Sequence, residues 1–199
     1  MCRGEDCYKN IIAVTNRNLC DRPYMEQIER ICSRHPKAVL VREKDLPVDE
    51  YARLLAQVQE ICLRYGVQCI AHTYTDAAVQ CGIDVIHYPM NLLQDEMHHH
   101  VSKKKILHIR KKGASVHSVG EALLAEALGA DYLTAGHIFE TGCKTGAAPR
   151  GKDFLRSVCT AVKIPVYAIG GMSASEKCVE SMVLCGAAGI CVMSECMQW

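Results

Sequence analysis

The chain has 199 residues and a mass of 22.0 kDa, with 49% hydrophobic and 23% charged residues. That balance excludes a disordered chain, and the length suits one domain, spanning residues 1–199, with a sizeable core. Lys+Arg at 23 against Asp+Glu at 22 leaves a formal net charge of +1, so the totals give no support to a nucleic-acid partner. No apolar run approaches the roughly 20 residues needed to span a bilayer. The opening residues MCRGEDCYKN also lack the apolar centre of a signal peptide. The expectation is a soluble, cytoplasmic protein with no membrane partner. Thirteen cysteines are an odd number and no C-x-x-C occurs, so a zinc ribbon has no spacing to stand on. Most of them read as small buried thiols in a reducing compartment.

Apolar runs alternate with helical patterns along the whole chain. Residues 11–14 (IIAV) read as a first strand followed by turn chemistry at 16–18, and residues 24–32 have helical spacing. A second strand at 37–42 (KAVLVR) precedes an amphipathic helix over 47–65 that Gly66 ends. Residues 67–72 give a third strand, 76–81 a short helix closed by Gly82, and 84–88 a fourth strand. A fifth strand at 113–117 leads to a helix over 119–128, opened by Ser118 with Glu121 as a capping box. Residues 131–135 form the sixth strand, 152–162 a helix and 165–169 (PVYAI) the seventh strand. Ser173 is the expected cap of a helix reaching Cys185, and 189–193 (GICVM) is the eighth strand.

Eight strands alternating with helices, each strand a continuous apolar run, predict an α/β fold, the (β/α)8 TIM barrel. Few residues follow strand eight, so the barrel is expected to lack its final helix and to need a partner over strands one and eight. The least regular stretch, 91–112, holds His98-His99-His100 and Lys103-Lys104-Lys105. Three consecutive histidines point three ways on a helix, so this stretch reads as a solvated helix rather than a metal site.

In a barrel, chemistry gathers where the strands end on their C-terminal side. That rule selects Arg42-Glu43-Lys44, His72-Thr73, Tyr88, Ser115 through Ser118, Gly136-His137 with Thr141, Lys144 and Arg150 beyond it, Gly170-Gly171, and Met193-Ser194. Glycines after strand seven and a serine after strand eight suit a phosphate, which main-chain N–H groups can meet. Arg42, Lys44 and Lys144 would add positive charge. His137 directly follows a strand and can take and return a proton near neutral pH; His72 and His117 are weaker candidates.

The segment ADYLTAGHIFETGCKTGAAPRG, with PVYAIGGMS, VREK and SVHS, resembles the thiamine phosphate synthase/thiazole tautomerase family, in order from Ile11 to Ser194. The resemblance implies a (β/α)8 barrel, a thiazole phosphate substrate and a homodimer. Its synthase branch joins a pyrimidine pyrophosphate to a thiazole phosphate with Mg2+. That branch typically carries Gln-x-Arg-x-Lys on strand two, Asn-Asp after strand three, Asp after strand four and Gly-Pro-Ile-Phe-x-Thr after strand six. Here Leu40 replaces the Gln while Arg42 and Lys44 match, the Asn-Asp pair is His72-Thr73, and the strand-four Asp falls on Leu92 or is absent. Thr145 and Gly146 stand where synthases often carry Lys-Asp, and His137 replaces the Pro. Without those carboxylates Mg2+ lacks its preferred ligands.

The His in GHIFETGCK is the pattern of the tautomerase branch. The leading expectation is therefore an isomerase, an aromatising thiazole tautomerase in which His137 shuttles a proton and no metal or other cofactor is used. Gly170, Gly171 and Ser194 would hold the phosphate, Ser115 and Met193 would line the substrate, and Thr141 and Lys144 would close over the ring. Arg42 would hold the substrate carboxylate, and Lys44 is the cation that meets the pyrophosphate in synthases. The alternative is thiamine phosphate synthase with Mg2+, and a second alternative is a non-catalytic phosphate-binding regulatory barrel.

Overall fold

The computed structural model describes residues 7–98, 108–142 and 148–199. Eight parallel strands close on themselves in chain order. They are β1 (Ile11–Val14), β2 (Ala38–Leu40), β3 (Gln68–His72) and β4 (Val85–Pro89), then β5 (Lys111–Val116), β6 (Tyr132–Gly136), β7 (Val166–Ile169) and β8 (Gly189–Val192). Outside them lie α1 (Tyr24–Cys32), α2 (Val48–Tyr65), α3 (Thr75–Gln80) and α4 (Met90–His98), followed by α5 (Val119–Ala127), α6 (Gly151–Ala161) and α7 (Glu176–Val183).

The strands are uniformly apolar because both of their faces are covered. On β1, Ile12 and Val14 point into the barrel with Leu40, Ile70, Tyr132, Tyr167 and Cys191. Ile11 and Ala13 point outward and pack with Ile28, Val39 and Leu55 beneath the helices. The rings of Tyr132 and Tyr167 meet edge-on at 6.1 Å inside the barrel. The ten cysteines from Cys20 to Cys196 whose side chains are described are free thiols; Cys32 and Cys62 bring their sulfurs to 3.8 Å where α1 packs on α2.

The expected local signals are largely present. Gly66 ends α2 at φ +65°, a conformation that costs a residue with a Cβ more than it costs glycine. The Ser118 hydroxyl accepts from the Glu121 N–H, yet the Glu121 carboxylate takes the N–H of His117, one residue before the position a capping box uses. The last helix is capped by Ser175, which accepts from the Cys178 N–H, and not by Ser173. Residues 99–107, with His99, His100 and the lysine run, lie outside the described residues, and α4 fills the chain up to His98.

The expected open side between strands one and eight is corrected. Ile12 of β1 pairs with Cys191 of β8, so neither strand presents an edge. After β8 a single 3-10 turn, Cys196–Gln198, lies against α1, with Cys196 and Met197 buried. Gln27 donates to the Cys196 carbonyl at 2.7 Å, while Arg22 and Arg30 reach the Trp199 carbonyl at 2.7 and 2.9 Å. This short turn covers the seam that an eighth helix covers in a full barrel.

Candidate active site

The inward face of each strand continues upward with period two, so its next residue borders the barrel mouth. A cavity of about 760 Å³ opens there. Val14, Arg42, His72, Pro89, Ser115, His117, Ile169 and Met193 all line it, each in register with the interior side chains below. Of the residues expected from the sequence, Arg42, Lys44, Ser115, His137, Thr141, Gly170, Gly171, Met193 and Ser194 border this one cavity. Lys144 lies outside the described residues. Arg150 turns away, its guanidinium 5.4 Å above the ring of Phe154.

Glu43 shows why Arg42 and Lys44 face the cavity. Its side chain is buried and turned to the opposite side. There it accepts from the Thr15 hydroxyl at 2.6 Å, the Tyr24 hydroxyl at 3.2 Å and the Arg17 main-chain N–H at 3.0 and 3.1 Å. The Arg17 guanidinium then bridges from Glu43 to Asp45, and this pairing holds the Asp45 carboxyl down to about 2. Residues 43 and 45 are thus both tied to the loop after β1. The Arg42 N–H donates to Thr15 as well, at 3.0 Å.

Histidines form the adjoining wall and the floor. The ring of His72 lies 6.1 Å from that of His87, which is buried. Burial, with Arg42 and Lys44 nearby, pushes His72 down to about 2; burial and Arg42 push His87 down to about 3. Both rings are neutral at physiological pH. His87 Nε2 meets the Ser115 hydroxyl at 2.9 Å, its Nδ1 meets the Tyr132 hydroxyl at 3.2 Å, and Thr134 donates to Ser115 at 3.2 Å. His117 Nδ1 lies 2.6 Å from the Gly136 carbonyl, which can only accept, so that nitrogen carries the proton.

Sequence reasoning missed His87, Glu121 and Glu195 as members or supports of the site. Strand parity was the available signal for His87, because it stands two residues above the inward-facing Val85.

The loop after β6 explains the paired glycines. The Phe139 N–H donates to the Gly170 carbonyl at 3.0 Å, drawing the two loops together. A Cβ on Gly170 would stand 2.4 Å from that of His137, and one on Gly171 would stand 2.5 Å from the Glu140 carbonyl. Both also have positive φ, +99° and +68°. Only glycine meets both demands.

Oxygen donors for a hard divalent cation are scarce beside the cations. The residues at the mouths of β3 and β4 are His72, Thr73, Pro89, Met90 and Asn91, and the Thr73 hydroxyl is held by His72 Nδ1 at 2.7 Å. The cavity carboxylates, Glu121 and Glu195, each accept a main-chain N–H. No group of three His, Cys, Asp or Glu side chains suited to a metal occurs among the described residues. The side chains present do not fit Mg2+, which prefers octahedral oxygen and carboxylate ligands.

A closed (β/α)8 barrel whose mouth carries paired cations and a glycine-lined loop pair defines the class: a TIM-barrel protein with an anion-suited site. The chain belongs to the thiamine monophosphate synthase family, whose model matches residues 11–196. It is 29% identical to thiamine-phosphate synthase of Fusobacterium nucleatum over 98% of this chain and 94% of that one. It is 33% identical to thiamine-phosphate synthase of Methanocella arvoryzae over 85% of this chain and 77% of that one. Thiamine phosphate pyrophosphorylase from Pyrococcus furiosus superposes with a TM-score of 0.76 at 27% identity, over 98% of this chain and 90% of that one. An N-acetylmannosamine-6-phosphate 2-epimerase from Clostridium perfringens, at 14% identity and a TM-score of 0.60, shares the fold alone.

These relatives correct the expected activity. An isomerase acting as a thiazole tautomerase was inferred from His137 and from the missing carboxylates. The likeness to proteins named as synthases instead runs through most of the barrel. The tautomerase reading is set aside in favour of the transferase. Among the described residues no helix is long and apolar enough to cross a membrane.

Proposed function

We propose that the chain is a transferase that joins a pyrimidine pyrophosphate to a thiazole phosphate, forming thiamine phosphate and pyrophosphate. The observation that carries this reading is the single cavity that holds two anion-suited regions, Arg42 with Lys44 and Gly170–Gly171 with Ser194. One cation pair suits the pyrophosphate, and the main-chain N–H groups of the glycine loops suit the thiazole phosphate. Between them lie Ser115 and the neutral ring of His72, with the neutral ring of His87 buried behind Ser115. Such a wall does not repel the positive charge that develops on the pyrimidine carbon as pyrophosphate leaves.

In the reaction the thiazole nitrogen lone pair forms the new C–N bond. The C–O bond to pyrophosphate breaks, its electron pair stays on the departing oxygen, and no proton need move. Arg42 and Lys44 hold that oxygen's growing charge, while Thr141, His137 and Met193 border the thiazole. A homodimer, expected from the resemblance, is part of this proposal and is checked by light scattering on the purified chain.

The test is thiamine phosphate formation from the two substrates, run both with Mg2+ and with EDTA and read by oxidation to a fluorescent product. Turnover that is lost in Lys44→Ala supports the assignment. No turnover in any condition overturns it. Thiazole phosphate binding by calorimetry without turnover would then leave a phosphate-binding barrel.

A further inference from the structure

The cations and the carboxylates of this site are segregated. Glu43, the acid between Arg42 and Lys44, is turned away and takes donors from Thr15, Arg17 and Tyr24. Asp45 is gripped by Arg17 outside the cavity. On the far side of Lys44 stand His72 and Thr73, already joined to each other. A pyrophosphate lying against Arg42 and Lys44 therefore meets ammonium, guanidinium and neutral imidazole, and among the described residues no carboxylate stands beside it to complete a metal's coordination. A divalent cation there would face two fixed positive charges and few oxygen ligands.

We infer that this site takes its pyrophosphate ester without a divalent metal, the charge of the departing pyrophosphate being met by Arg42 and Lys44. The inference rests on the transferase reading for its substrate and goes beyond it in assigning the counter-charge. Atoms and electrons balance as in that reaction: the C–O pair goes to pyrophosphate, the thiazole nitrogen supplies the new bond, and the two side-chain cations take the place of the metal's charge. Arg42 suits the task because a guanidinium can hold two phosphate oxygens at once. The neutral state of His72 follows from its burial beside these cations, so that among the described residues Arg42 and Lys44 are the pyrophosphate's positive partners on this wall.

The experiment is calorimetric titration of the intact protein with inorganic pyrophosphate, once in excess EDTA and once in millimolar Mg2+, beside turnover in the same two buffers. The expected result is binding in EDTA at least as tight as in Mg2+, because free metal competes for the anion. Arg42→Ala and Lys44→Ala are each expected to weaken it about tenfold, the loss of one charge-assisted hydrogen bond. Pyrophosphate binding about tenfold or more tighter in Mg2+ overturns the inference, as does turnover only in Mg2+; the latter leaves the transferase reading intact. Metal-free binding with no turnover in either buffer sinks the transferase reading and keeps the assignment of Arg42 and Lys44. Circular dichroism of each variant separates lost binding from lost folding.

Discussion

The guanidinium of Arg17 grips Asp45 with two parallel hydrogen bonds, Nη1 to Oδ1 at 2.5 Å and Nη2 to Oδ2 at 2.7 Å, while Nη1 also lies 3.4 Å from Glu43. Lys44, the residue between those two acids, borders the cavity. The pair with Asp45 is screened by solvent on the carboxylate's side, so Arg17→Ala should leave stability nearly unchanged. Pyrophosphate affinity should nevertheless fall about threefold or more, because the segment that aims Lys44 is released. Urea unfolding beside the pyrophosphate titration reads both; an unchanged affinity would show that the clasp does not position Lys44.

Glu43 is the opposite case. Removing its carboxylate in Glu43→Ala leaves the Thr15 and Tyr24 hydroxyls and the Arg17 N–H without their acceptor inside the protein. The expected loss is about 3 kcal/mol, with Glu43→Gln keeping roughly half of the stability difference. Urea midpoints of the two variants check it.

The barrel was legible because its strands are marked twice, by apolar runs and by their regular alternation with helices. The mouth residues followed from strand ends alone. Glu43 was legible as a position but not as a buried acid, since its partners Thr15, Arg17 and Tyr24 stand 28, 26 and 19 residues away. His87 was hidden inside an apolar strand reading, where a histidine resembles one more buried residue. The Ser175 cap was misplaced because two serines, 173 and 175, offer the same side chain and only the helix start decides between them. The activity was misjudged where His137 and the missing carboxylates were weighed above a likeness spread over most of the chain.

His72 and His87, pushed down to about 2 and about 3 by burial, should shape the pH dependence of folding. Between those values and about 6.5 the unfolded chain binds protons that the folded chain does not, so stability rises with pH across this range. It is fully present above about pH 6.5 and is lost as pH falls. Each histidine contributes a slope of at most about 1.4 kcal/mol per pH unit. In His87→Gln the stability difference between pH 7 and pH 5 should shrink by roughly 2 kcal/mol, read from urea unfolding at the two pH values. An unchanged difference would mean that His87 is charged in the folded protein.

Gly170 and Gly66 both have positive φ but differ in their surroundings. A Cβ at Gly66 meets nothing within 4 Å, whereas one at Gly170 would stand 2.4 Å from the Cβ of His137. Gly66→Ala should therefore cost about 1 kcal/mol, the strain of a left-handed alanine alone. Gly170→Ala adds a collision between the loops after β6 and β7 and should cost about 3 kcal/mol. The collision also pushes His137 and the Phe139–Gly170 hydrogen bond apart, so thiazole phosphate affinity should fall about tenfold in Gly170→Ala and stay unchanged in Gly66→Ala. Thermal unfolding and thiazole phosphate calorimetry on the two variants separate backbone strain from loop collision. Equal losses in both would show that the close approach of Gly170 to His137 contributes nothing to the site.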